Sequence, residues 1–305
     1  MTGSGGLPGI GLNLFTSPTI LVEKTIFYLR LMSKRKSTFI GFIIIISYIL
    51  MAVFGPMIIR LDLSANPSEA YAPPSFKHLL GTDYAGRDVL MLIVNGSREV
   101  LLVAFLTGFI TVVIALLVGM ISGFIGGKVD LVLTTIIDIL LTIPGFPLLL
   151  VVSIILSKYL NIFTVALVLS ISPWAGLARA IRSQVLSIKE STFIEAAKAL
   201  GLPLRHIIFR EILPIMYPYI LVNYLFAMLN AIYSQVGLYF IGALPISTMN
   251  WGVMMNLARS AGAIQGISGL HYLLAPMITI VILQIGLILF AKGADEILNP
   301  RLREE

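Results

Sequence analysis

Six stretches of the chain each hold about twenty or more mostly apolar residues: 38–59, 100–125, 129–156, 162–181, 215–241 and 273–290. A helix needs about 20 such residues to cross a hydrocarbon core about 30 Å thick. Lipid offers no hydrogen bonds to a backbone, so each run must satisfy its own N–H and C=O groups as a helix. Composition points the same way. Only 12% of the 305 residues are charged and 58% are hydrophobic, whereas a soluble domain carries about a quarter charged. The expected fold class is an all-α integral membrane protein with six transmembrane helices. There is no cysteine, which excludes disulfides, thiol catalysis and thiolate metal sites.

The loops between the runs set the orientation. With the N-terminus inside, fifteen of the 21 Lys and Arg residues lie on the inner side and six on the outer. Basic residues are retained on the cytoplasmic side. Both termini are therefore expected in the cytoplasm of a multi-pass cell-membrane protein. The net charge of +6 follows this loop pattern, so it speaks for a lipid bilayer and against nucleic acid as partner. Residues 1–37 read as a cytoplasmic leader. They begin with the Gly-rich "TGSGGLPGIGLN" and lack the basic opening of a signal peptide. The six-helix domain is expected over 38–298, with external loops at 60–99 and 242–272. A cytoplasmic segment follows at 186–214, and a tail at 299–305.

The segment "EAAKALGLPLRHIIFREILP" is polar and helix-forming between two apolar runs. Glu195, Ala196, Ala197, Lys198, Ala199 and Leu200 favour helix. Gly201 is placed as a C-terminal cap, and Pro203 suits the first turn of a second helix. Two readings stand: a solvated loop between spans, or a short helix presented to a groove on another protein.

Within the spans the polar residues are few. Asp138 is the one clearly internal carboxylate, about 13 Å into its run at 1.5 Å per residue. It is read either as hydrogen-bonded to a neighbouring helix or to water, or as a proton relay, for which no second buried acid or histidine is at hand. Tyr219, Asn223, Asn230 and Ser234 fall within about 40° of one helical direction, with Gln235 beside them. They either bond between helices or line a hydrated path. Pro144, Gly145 and Pro147 interrupt the third run, as a kink beside a path or a bend for packing.

Chemical motifs are missing. "SGFIGGKV" has Ser122 at the first glycine of a phosphate-binding loop and Val129 where a Ser or Thr would meet magnesium. His78, His206 and His271 lie far apart, and neither H-E-x-x-H nor G-x-S-x-G occurs. No catalytic residue, metal site or cofactor is assigned to this chain.

Several ordered segments are familiar. "EAAKALG" with the later "ILP" resembles the EAA motif of ABC importer permeases. "HLLGTDYAGRDVL" is similar to a segment of the second permease subunit of dipeptide and oligopeptide importers, with Leu79 in place of the usual proline. "GGKVDLVL", "DILLTIPGFPLLL", "WAGLARAIRSQVLSIKESTFIEAAKALG" and "NPRLRE" match in order. The resemblance covers nearly everything from Thr38 onward and implies a type I ABC importer permease fold. It implies a coupling contact with an ATPase at Glu195, Ala196, Ala197, Gly201 and Arg205. It implies a translocation path on span five (Tyr219, Asn223, Asn230, Ser234), with Asp138 a further candidate. The implied partners are a second permease, two ABC ATPases that hold ATP and Mg, and an extracytoplasmic substrate-binding protein. The implied cargo is peptide, oligosaccharide or nickel. The competing reading, an ion-gradient-driven secondary transporter, calls for mid-membrane coupling carboxylates and broken repeats, and the sequence displays neither. An intramembrane enzyme lacks its motifs.

Overall fold

The computed structural model describes residues 35–159, 161–246, 248–263 and 269–298. The tail and all but the last three residues of the leader lie outside them. Ten helices follow one another: α1 Lys36–Ile58, α2 Val89–Ile125, α3 Gly127–Thr142, α4 Gly145–Ile155, α5 Ile162–Leu169, α6 Pro173–Lys189, α7 Thr192–Ala199, α8 Leu204–Ile241, α9 Trp251–Ser260 and α10 Leu270–Leu298. Four of them, α1, α2, α8 and α10, are long and apolar enough to cross a bilayer alone. The pairs α3/α4 and α5/α6 are long and apolar enough only when each is taken together, and they are bent by 86° and 54°.

The interruption expected in the third run at Pro144, Gly145 and Pro147 is a break between two helices, and the fourth run, expected to be continuous, is broken as well. Pro144 cannot donate a backbone hydrogen bond, and it drives the preceding residue out of the helical region. Ile143 accordingly sits at φ −84°, ψ 126°, ending α3, and Pro144 caps α4. Pro147 falls in the first turn of α4, where the missing N–H costs little. Pro173 starts α6 in the same way.

A second correction concerns the start of span two. The apolar run begins near residue 100, but the helix begins at Val89, because Asp88 caps it by accepting from the Met91 N–H at 3.0 Å. Its 37 residues extend about 55 Å at 1.5 Å per residue. That is longer than a hydrocarbon core about 30 Å thick, so part of the helix must extend beyond it.

Helix α2 is the hub, packing along α6, α8, α1 and α5. Its Gly119 and Gly123 set the distance to α6. A Cβ on Gly119 would lie 2.6 Å from the Ala178 carbonyl oxygen, and one on Gly123 would lie 3.0 Å from the Arg182 carbonyl oxygen. Small residues four apart allow this approach in membranes, where packing rather than water drives helix association. One buried cluster joins α2, α8, α9 and α10 around Leu92, Ile232, Trp251 and Tyr272. Another joins α2, α6, α7 and the start of α8 around Ala178, Ile181, Ile194 and Ile212. The outward faces stay apolar and uncovered, as at Ile40, Val53 and Met57 of α1 and Leu131 and Ile139 of α3.

The loop between α1 and α2 is tied down by Asp83, which is fully buried. Its Oδ1 accepts from the Ala85 and Arg87 N–H groups at 2.9 Å, and its Oδ2 from Arg87 Nε at 2.7 Å. Tyr71 donates to the Ala261 carbonyl at 3.0 Å, and the His271 ring bonds the Thr82 carbonyl at 2.9 Å. The turn around Leu79 forms without proline: the Ser75 and Gly81 N–H groups both donate to the His78 carbonyl. At the rim, the hydrogen bond from Lys77 holds the Glu69 carboxyl below its ordinary range.

Candidate functional site

Helix α7 leaves the apolar bundle and ends at Gly201. The Gly201 N–H donates to the Lys198 carbonyl at 2.9 Å and the Leu202 N–H to the Ala197 carbonyl at 3.1 Å. This paired closure needs a left-handed residue, and Gly201 has φ +69°. The cap expected from sequence is there. Glu195 lies in the first turn, where a carboxylate meets the positive end of the helix.

The two alanines of the motif part company. Ala197 is buried with Ile194, Ile207 and Ile212, so it holds α7 to its own chain. Glu195, Ala196, Lys198, Ala199 and Leu200 are exposed. Periodicity explains the split: residues 194 and 197 share one face of a helix, and 195, 196 and 199 another. Arg205 lies beyond the cap, exposed in the first turn of α8.

The root of α7 is braced against the ends of α2 and α3. Arg182 of α6 donates through Nε and Nη2 to the two oxygens of Asp130, each at 2.6 Å. Ser122 donates to the same carboxylate. Lys189 donates to the Phe124 carbonyl at 2.7 Å, and Lys198 stands 5.8 Å from the Phe124 ring centre. The helix that leads into α7 is thus tied to α2 and α3 by charge-assisted bonds, and α7 itself meets α2 through the Lys198–Phe124 contact.

Asp138 is hydrogen-bonded to a neighbouring helix, the first of its two readings, and the partner is the Arg179 guanidinium of α6. Both side chains are more than half exposed in the isolated chain. Sequence reading paired neither, because the two are 41 positions apart.

Along α8, Tyr219, Asn223 and Ser234 are half-buried and Asn230 is exposed. Asn223 Nδ2 donates to the Tyr219 carbonyl at 2.8 Å. Gln235, one step round, is fully buried instead, so the stripe is an open polar face and Gln235 faces away from it.

Glu99 was missed from sequence, assigned to a loop because it precedes the apolar run. It lies inside α2 and accepts from Tyr239 Oη at 2.8 Å and Asn250 Nδ2 at 2.9 Å, and also from Thr248. The carboxylate thus fastens the first part of α2 to the end of α8 and the approach to α9. Asp88 directly before a "VLMLI" run was the available signal, since it marks an earlier helix start.

Residues 115–304 match the family described as binding-protein-dependent transport system inner membrane component. The oligopeptide transport system permease protein OppC of Bacillus subtilis is 32% identical over 276 residues, covering 88% of this chain and 87% of that protein. The dipeptide transport system permease protein DppC of Alkalihalophilus pseudofirmus is 32% identical over 274 residues, covering 89% and 88%. The DppC protein of Bacillus subtilis is 29% identical over 282 residues, covering 90% and 85%. With a matching family model over most of the chain and likeness along almost its whole length, the chain belongs to the inner-membrane permease components of binding-protein-dependent transport systems.

Proposed function

We propose that this chain is one half of the translocation path of an ATP-driven importer of peptides. In this reading it pairs with a second, related permease. Two ATPase subunits carry ATP and Mg beneath it, and an extracytoplasmic binding protein delivers the cargo. The observation that supports it most is α7: a short helix with Glu195, Ala196, Ala199 and Leu200 outward and nothing of the described chain covering them. That face suits the groove of a partner, and the brace through Arg182 and Lys189 suits transmission of force. Glu195, Ala196 and Gly201 form the contact itself, with Arg205 at its edge, and Ala197 supports it from behind. The open stripe of Tyr219, Asn223, Asn230 and Ser234 lines the path against the second permease. Asp138 with Arg179 lies on a face that the second permease covers.

The relatives' names concern oligopeptides and dipeptides, which makes peptides the first cargo to test, with oligosaccharide and nickel as competitors. The rival, an ion-gradient transporter, gains little from the bends in α3/α4 and α5/α6, because each falls at a proline. It is also weakened by an Asp138 already paired with a cation. The test is uptake of labelled di-, tri- and pentapeptides by cells lacking the chain, with and without complementation. Uptake is expected to return with the chain, to need ATP and to survive an ionophore that collapses ion gradients. Loss of uptake under ionophore at constant ATP would select the gradient-driven mechanism.

A further inference from the structure

At the elbow between α7 and the membrane, the first turns of α8 are wound unusually. Residues Ile207–Ile212 form a π-helical stretch, with the Leu213 N–H donating to the Ile208 carbonyl five residues back. Such turns are rare and occur frequently at functional sites. Arg205 lies in the α-helical turn Leu204–His206 just before this stretch, and Arg210 lies within it. Arg205 and Arg210 are five apart, and with Pro203 and His206 they line one open cleft of about 360 Å³.

The cleft is basic and its charges are unspent. Among the described residues, neither Arg205 nor Arg210 forms an ion pair or hydrogen bond. The nearby carboxylate, Glu211, faces His206 at 3.6 Å instead. The apolar surroundings fix the depth. Phe209, between the two arginines in sequence, is 66% exposed, and Ile215 and Tyr217 further along α8 remain uncovered. A cation pair beside an outward aromatic, where a helix enters the bilayer, is the arrangement of a headgroup contact. Guanidinium groups bind phosphate oxygens through paired N–H donors, which suits a phosphodiester better than a point charge would.

We propose that this cleft holds the phosphate of an anionic phospholipid of the cytoplasmic leaflet, and so moors the elbow of α7 to the membrane. The proposal rests on the cytoplasmic placement of α7, which cysteine labelling tests independently of lipid binding. The ATPase contact is centred on the other side of Gly201, on the face of Glu195 and Leu200; Arg205 stands at its edge, and Arg210 belongs to the cleft alone.

The test titrates phosphatidylglycerol, phosphatidylcholine and inorganic phosphate separately onto the detergent-purified full chain with its copurifying subunits, read by native mass spectrometry. Phosphatidylglycerol is expected to bind at least about tenfold more tightly than phosphatidylcholine, in line with two basic residues at a membrane surface. The double variant Arg205→Gln, Arg210→Gln should lose that preference, and Arg205→Lys, Arg210→Lys should keep part of it. Lys158→Gln, on the opposite side, serves as the folding and charge control and should leave it unchanged. An undiminished preference in the Gln double variant overturns the proposal. So does displacement of the lipid by millimolar inorganic phosphate, which would mark a soluble-anion site. Loss of a copurifying subunit with lipid binding intact would make the cleft a protein contact and equally refute it.

Discussion

At Gly201 the space where a Cβ would stand is empty within this chain, while φ is +69°. A side chain there meets backbone strain, about 1–2 kcal/mol for most residues and less for Asn. The expected order follows. Gly201→Val should lower uptake by about tenfold with the spans inserted as before, and Gly201→Asn should retain most activity. Transport rates in cells, normalised to membrane-inserted protein, decide it. If Asn and Val are equally damaging, the limit is a partner surface pressed against the glycine rather than the left-handed turn. Glu99 shows the opposite case. Its importance comes wholly from Tyr239, Thr248 and Asn250, which no local pattern announces.

Among elements, the α2–α6 pair carries the packing argument furthest. The obstacle to a side chain at Gly119 is main chain, the Ala178 carbonyl oxygen at 2.6 Å, so relief requires the helices to part. Forcing extra atoms into a packed contact costs about 1–3 kcal/mol. Gly119→Leu should lower the Tm of the purified protein by several degrees, whereas Gly176→Ala, whose Cβ would meet only Leu141 Cδ2 at 3.9 Å, should leave it unmoved. Equal melting of Gly119→Leu and the parent would mean that the two helices do not approach this closely. The bent spans belong to the same scale. Pro144 and Pro173 were visible in the sequence, yet the angles of 86° and 54° depend on what each half packs against.

For the whole molecule, the arrangement stands or falls on sidedness. The proposed function requires residues 60–88 and α9 to lie outside and α7 inside, on opposite faces of the membrane. Cysteines replacing Ser75 and Ser260, both exposed, should react with an impermeant maleimide added outside intact cells. A cysteine replacing exposed Thr192 should react only after the membrane is opened. Labelling of the Thr192→Cys protein from outside would invert the topology and remove α7 from any cytoplasmic partner.

The sequence by itself determined the class, the number of membrane runs and the capped helix at 195–201. Each of these is written in contiguous residues: twenty apolar positions fill a bilayer, and one glycine closes a helix. It also held the family resemblance, carried by short motifs in order. Only the tertiary structure decided the rest. It turned Ala197 inward while leaving Ala196 out, because burial depends on Ile207 and Ile212 returning beneath α7. It joined Asp138 to Arg179 across 41 positions and Glu99 to Asn250 across 151. It widened the winding of α8 at Ile207–Ile212 and set Arg205 and Arg210 along one cleft. Local propensity acts over a few residues and is legible along the chain. These contacts arise where distant helices meet, and that meeting is fixed by packing among all of them at once.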